Sequence, residues 1–225
     1  MVLRLIVQTA LWTGGMGAVL FVGAGTILWP AAWIYLAITG FGGLVVGLWL
    51  AKHDPGLLAE RLSPLMQAEQ KTWDKVFMVG IVAAWCAWLA LIALDAARFS
   101  WSHMPLWLQV PGALLLALSL AVTFLAFRAN SFAAPVVKVQ RERGHRVVSS
   151  GPYAYVRHPM YAGALLFFLG TPLLLGSWYG LAATPLLTMG LAARAVLEER
   201  TLRAELQGYA AYAERVRYRF IPMVW

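Results

Sequence analysis

VFMVGIVAAWCAWLALIAL, residues 76–94, runs from end to end without a charged side chain. A membrane-crossing helix asks for about 20 consecutive apolar residues, because each adds 1.5 Å of rise across a hydrocarbon layer of roughly 30 Å. A helix in a soluble core needs only an apolar stripe. Working outward from this stretch, the chain divides into six apolar blocks at about 5–28, 30–51, 76–97, 105–127, 160–176 and 178–197. Trp29-Pro30 turns the chain after the first block. Pro105 and Pro159 stand near helix starts, where a missing N–H costs nothing. Gly176-Ser177-Trp178-Tyr179-Gly180 forms a tight turn between the last two blocks. Pro172 and Pro185 interrupt those two, which predicts bent or partly re-entrant segments there. The run after Arg4 exceeds the 7–15 residues of a signal-peptide core and reads as a retained first helix.

Composition agrees. Of 225 residues, 61% are hydrophobic and 12% charged, against roughly 45–50% and about 25% in a soluble domain. The expected fold class is all-α: a polytopic transmembrane helix bundle with about six membrane helices and no Rossmann domain, since no Gly-x-Gly-x-x-Gly loop occurs. The net charge is +8, but the basic residues gather at block ends, where they set membrane orientation rather than bind nucleic acid. All Lys and Arg except Arg98 fall on one side of a six-span arrangement. The positive-inside rule makes that side cytoplasmic, with both termini on it, as in a bacterial inner-membrane protein. The lone Cys86 reads as a small buried hydrophobe. Isolated His53 and His103 read as interface residues, and no His/Cys/Asp/Glu spacing suggests a metal site. Asp95 reads as a helix-end residue.

Two parts are expected. Residues 1–127 hold the N-terminal membrane helices and an interfacial segment, 52–75, with Leu57, Leu58, Leu62, Leu65 and Met66 among charges. Residues 128–225 carry the polar material, and chemistry is expected there. Residues 150–163 read Ser-Gly-Pro-Tyr-Ala-Tyr-Val-Arg-His-Pro-Met-Tyr-Ala-Gly. Pro159 opens a helix whose free N–H groups can take a carboxylate, and Arg157 can add a bidentate contact. Gly163 permits close backbone approach. Tyr153, Tyr155 and Tyr161 offer flat faces for a purine or a cation. Glu198 and Glu199 can accept a ribose diol or stabilise a sulfonium. An anion site, a diol acceptor, an aromatic wall and tolerance of positive sulfur are together what S-adenosylmethionine needs.

The run Gly151 to Gly163 with Glu198-Glu199 downstream resembles the isoprenylcysteine carboxyl methyltransferase and phosphatidylethanolamine N-methyltransferase superfamily. Tyr209-x-x-Tyr212-x-x-Arg215-Val216 followed by Pro222 is similar to the tail of the isoprenylcysteine branch, with Tyr209 one residue off the eukaryotic spacing from Leu202. Asn130, Phe132, Gln140 and His145 resemble the segment leading into its Arg-His-Pro motif. Asp54-Pro-Gly-Leu-Leu-Ala-Glu-Arg61 and Trp73-Asp74 resemble its bacterial members. The resemblance implies a membrane methyltransferase that uses S-adenosylmethionine, releases S-adenosylhomocysteine and acts on a lipidic or amphiphilic acceptor. His158, Tyr161, Gly163, Glu198 and Glu199 would then hold the cofactor, with Gln140 and His145 lining its pocket, and Arg215 would hold a substrate carboxylate. Glu199 is the nearest base by sequence for an amine acceptor. The alternatives are a phospholipid N-methyltransferase, in which Arg215 has no carboxylate to bind; a sterol-reductase-like oxidoreductase, which would take a nicotinamide; and a transporter. The last would place polar groups at the midplane, often in inverted repeats, and the sequence shows neither.

Overall fold

The structure, a computed structural model, describes residues 1–67 and 69–225. Eight α-helices follow one another: α1 (Val2–Ala24), α2 (Pro30–His53), the short α3 (Pro55–Arg61), α4 (Thr72–Ala93, continued by a π-turn over Leu94–Phe99), α5 (Gln109–Ala129), α6 (Pro159–Leu175), α7 (Trp178–Glu205) and α8 (Tyr209–Arg215). No strand occurs among the described residues. The fold is an all-α membrane bundle.

Five helices are long and apolar enough to cross a bilayer: α1, α2, α4 with its π-turn, α5 with the 3-10 turn before it, and α7. The sixth, α6, has 17 residues, about 25 Å of rise. Side chains such as Leu11, Val22, Phe41, Leu114 and Leu186 point outward from these helices. Such a surface is stable against lipid and not against water, so the protein is a multi-pass membrane protein.

The last two blocks form unbroken helices. Helix α6 is continuous through Pro172, and α7 through Pro185. Pro172 has no N–H to offer Phe168 O, and the Thr184 hydroxyl of α7 donates to that carbonyl instead, at 3.1 Å. A neighbouring helix thus repairs the ladder, as the membrane interior demands. Helix α7 also runs beyond the apolar block to Glu205, so Glu198 and Glu199 ride on its C-terminal turns.

Helices α5 and α6 make the closest approach in the bundle. A Cβ on Gly112 would stand 2.3 Å from Leu174 N, and one on Gly170 would stand 2.8 Å from Gly112 O. Small residues at such a crossing let backbones touch where no hydrophobic force separates lipid from helix. At the far end of the bundle, fully buried Asp95 accepts from the hydroxyls of Ser102 (2.7 Å) and Ser177 (2.6 Å) and from Ser102 N (2.8 Å). It latches the end of α4 to the turn before α7, the helix-end role its position suggests.

Candidate active site

The polar segment 130–158, the end of α7 and the C-terminal tail enclose a cavity of about 260 Å³. Its floor is set by one carboxylate. Glu199, 3% exposed, accepts from Arg157 Nε at 2.7 Å and lies 3.1 Å from His158 Nε2. Arg219 Nε stands 3.2 Å from the same oxygen, as an ion pair without hydrogen-bond alignment. Arg157 NH1 also donates to the carbonyls of Ala213 (3.2 Å), Val216 (2.8 Å) and Arg217 (2.9 Å). One buried guanidinium therefore ties α7 to the end of α8 and to the tail.

The tail also covers the start of α6. Arg157 N donates to Tyr218 O and His158 N to Arg219 O, each at 2.9 Å. The N–H groups of this entry were expected to be open to an anion. The two just before the first turn of α6, on Arg157 and His158, are instead bonded to the tail, which folds back over them.

Above this floor, the Tyr161 ring lies parallel to His158, 5.2 Å between centroids, and its hydroxyl donates to Glu198 at 2.6 Å. The wall is the loop leading into the motif. His145 stacks on Phe132 (4.6 Å, 19°), with the Arg143 guanidinium 5.6 Å from the centre of the Phe132 ring. Buried Gln140 donates through Nε2 to Phe132 O at 2.9 Å and also bonds Arg143. The Gln140 N–H donates to His145 Nδ1 at 3.3 Å. Tyr212 donates to Tyr153 O at 2.8 Å. The Tyr209 hydroxyl is buried and finds no partner among the described residues.

The structure therefore brings His145, Arg157, His158, Tyr161 and Glu198 to the cavity lining. Gln140 and Glu199 stand one layer behind, holding His145, Arg157 and His158. Three expected residues lie elsewhere. Tyr155 is 72% exposed. Gly163 does give close approach, but to helix α5: a Cβ there would stand 3.0 Å from Thr123 Oγ1 and 3.2 Å from Ser119 O. Arg215 is exposed on α8 and does not line the cavity. The lining also includes Tyr153, one of the expected flat faces, and Arg61, Arg146, Arg194 and Tyr209, none of which the sequence reading placed in the cofactor set. Arg194 is held by fully buried Asp74 at 2.9 Å. The sequence signal for that pair was one charge inside the 178–197 block and another just before the 76–97 block.

Burial, reinforced by the Arg143 cation, lowers the His145 pKa below its ordinary 6.5. The folded protein thus resists protonating this ring more than an unfolded chain does. The wall is intact above pH of about 6.5 and loses stability as the pH falls below it. The thermal midpoint is expected to drop more steeply between about pH 7 and pH 5 in the native protein than in His145→Asn. Equal slopes in the two proteins would remove His145 as the titrating group.

Comparison with known proteins gives these residues a context. Residues 107–207 match the family model described as phospholipid methyltransferase. A protein-S-isoprenylcysteine O-methyltransferase of Schizosaccharomyces pombe is 46% identical over 43 residues, 19% of this chain and 18% of that one. Protein-S-isoprenylcysteine O-methyltransferase B of Arabidopsis thaliana is 30% identical over 83 residues, 36% of this chain and 42% of that one. Over these segments the chain is similar to phospholipid methyltransferases and to isoprenylcysteine O-methyltransferases. The match to the phospholipid methyltransferase model takes in α5, the loop into the Arg-His-Pro motif, α6 and α7, the elements that build most of the cavity. The matched segments span less than half the length of either curated relative. A solved eukaryotic intramembrane Ras methyltransferase, isoprenylcysteine carboxyl methyltransferase, aligns over 98% of this chain and 87% of its own with 21% identity and a TM-score of 0.49.

Proposed function

We propose that the protein is an S-adenosylmethionine-dependent membrane methyltransferase of the isoprenylcysteine carboxyl type, acting on a lipidic or amphiphilic acceptor from the cytoplasmic side. The observation that carries this reading is the cavity itself. It joins the His158–Tyr161 stack, the Glu198 carboxylate, the His145–Phe132 stack and an unpartnered Tyr209 hydroxyl in one wall. That donor set fits the cofactor. Glu198 suits a ribose diol or a sulfonium, the stacked rings a purine, Tyr209 a heteroatom acceptor, and Arg146 a carboxylate. When bound, S-adenosylmethionine supplies a methyl group already activated by positive sulfur.

The chain's own residues then have mainly to position. Arg157, His158 and Arg219, gathered on Glu199, fix the floor. Gln140 fixes the tautomer and ring plane of His145. Glu198 is the only carboxylate among the described residues that line the cavity, and it already accepts the Tyr161 proton. A carboxylate acceptor needs no base, whereas an ammonium acceptor must lose a proton first. This scarcity of bases favours O-methylation. Glu199, with two guanidinium groups and the His158 ring around it, is better suited to holding them than to taking a proton. The family model's own description supports a second reading, transfer to a phospholipid amine. In this view residues 128–225 form the catalytic part, with Arg61 contributed by the 52–75 segment. All Lys and Arg except Arg98 lie at the end of the bundle that carries this cavity, which supports a cytoplasmic site.

Titration calorimetry in detergent is expected to show binding of S-adenosylhomocysteine and none of NADPH; the reverse would overturn the reading. Labelled methyl groups transferred into a membrane extract are expected to appear in a product that releases methanol in alkali, as an ester does. A base-stable product would select the amine reading.

A further inference from the structure

The tail that folds back over the start of α6 closes into a small loop over residues 219–225. The N–H groups of Arg219 and Phe220 donate to Trp225 O at 2.7 and 3.1 Å, and those of Val224 and Trp225 donate back to Ile221 O, each at 3.2 Å. Behind the loop, Phe220 is buried in the apolar core of the bundle and meets the Tyr161 ring edge-on, 5.5 Å between centroids. Tyr161 belongs to the first turn of α6. Gly163, two residues on, crosses α5 at Ser119 and Thr123, short of Arg128, where the apolar run of α5 ends. The loop therefore sits at the depth where these helices enter the hydrocarbon layer. Its own side chains are apolar and turned out. Met223 is 86% and Val224 75% exposed, and Ile221 and Pro222 are exposed with them. Met223 has a φ of 65°, a left-handed conformation that a residue with a side chain adopts rarely. Arg215 and Arg217 are exposed just before the loop, against one exposed carboxylate, Glu214. Apolar side chains bordered by cations suit a phospholipid surface, with hydrocarbon below and phosphate above. The loop also reaches the floor of the cavity. The Arg219 guanidinium lies 4.7 Å from the centre of the Trp225 ring and pairs with Glu199 at 3.2 Å.

We propose that residues 221–225 are a membrane anchor seated in the leaflet at the cavity's end of the bundle, and that this seating holds Arg219 against Glu199. The inference goes beyond the methyltransferase reading, because it gives the tail a lipid surface as its partner whatever molecule the cavity takes. Ile221, Met223 and Val224 enter the edge of the hydrocarbon. Trp225 lies at the headgroup level, as indole rings do at membrane interfaces. Arg215 and Arg217 reach phosphate oxygens. The seated loop keeps Trp225 beside Arg219, and the backbone between them keeps Tyr218 O and Arg219 O on the N–H groups of Arg157 and His158. Lifted into water, the same apolar side chains lose the environment that favours this fold of the loop. Arg219 is then free to leave Glu199, and the floor of the cavity loosens. The cavity is thus complete only while the tail lies on lipid.

The test uses the full-length protein in nanodiscs of phosphatidylcholine and phosphatidylglycerol. In a Cys86→Ser background, a polarity-sensitive fluorophore is attached at Met223→Cys or, for reference, at Glu142→Cys in the exposed turn Arg141–Arg143. The label at 223 is expected to be quenched at least about twofold more by a nitroxide near the headgroup end of the acyl chains than by aqueous iodide, and the label at 142 the reverse. Iodide quenching that is equal at the two sites, or lipid quenching that is equal, overturns the anchor. Val224→Asp is expected to move the label at 223 from lipid to iodide quenching and to weaken S-adenosylhomocysteine binding about fivefold or more. Its thermal midpoint in detergent is expected to stay within about 2 °C of native, which shows that the variant is folded. Val224→Leu should keep both the lipid quenching and the affinity. Lipid quenching lost with affinity unchanged overturns the hold on Arg219. A label seated in lipid on a protein that binds no S-adenosylhomocysteine leaves the anchor standing and sinks the methyltransferase reading instead.

Discussion

Replacing Glu199 with alanine is expected to abolish measurable methyl transfer and to destabilise the protein together. Glu199 is 3% exposed and is the shared partner of Arg157, His158 and Arg219. Removing it leaves the buried Arg157 guanidinium with backbone carbonyls but no counter-charge. Breaking one side of a buried pair costs about 3–5 kcal/mol. The loss does not stay local, because Arg157 links α7 to the carbonyls of residues 213, 216 and 217, and His158 carries the stack with Tyr161. Turnover is expected to fall by about a hundredfold or more, as misplacement in a site that works by positioning would give. Glu199→Asp should recover binding of S-adenosylhomocysteine before it recovers turnover. An alanine variant with native turnover would mean that the floor of the cavity has no part in the reaction.

Asp74→Ala is expected to give the second large effect, at a residue outside the Arg-His-Pro motif. Asp74 is fully buried at the start of α4. It accepts from Arg194 Nε (2.9 Å), Gln70 Nε2 (2.8 Å) and Val137 N (2.9 Å). Arg194 goes on to bond Pro135 O at 2.8 Å and lies over the Tyr161 ring at 5.9 Å. Alanine therefore orphans three donors, one of them charged, and frees the 135–137 wall of the cavity from both α4 and α7. A loss of about 3–5 kcal/mol is expected, read as a fall in the thermal midpoint on the order of 10 °C. Affinity for S-adenosylhomocysteine should fall with it. Asp74→Asn keeps an acceptor for one donor and is expected to lie between the two. A variant with native midpoint and native affinity would show that Arg194 finds its place without Asp74.

The sequence reading reached the chemistry through Glu198-Glu199 and the Arg-His-Pro run, because these polar residues stand out against apolar neighbours. It assigned Glu199 a face on the ligand, but adjacent residues on a helix point about 100° apart. Only the fold shows that Glu198 takes the cavity side and Glu199 the floor. It read Gly163 as room for a ligand, and the room is taken by Ser119 and Thr123 of α5. It read Arg215 as the carboxylate holder from the tail's resemblance, and the fold leaves that residue exposed. Arg61 was read only as the end of the 54–61 resemblance, because in sequence it is one charge at the end of a seven-residue interfacial helix.

By itself, then, the sequence determined the solvent. Runs without charge over a bilayer's width admit only helices in lipid, and the segregation of Lys and Arg orders their ends, because both signals are summed over many residues along the chain. Which polar groups meet was decided only in the tertiary structure. Arg157 and Glu199 lie 42 positions apart, and Asp74 and Arg194 lie 120 apart. Contacts of that kind depend on how helices cross and on where a tail folds back, and no local pattern records either.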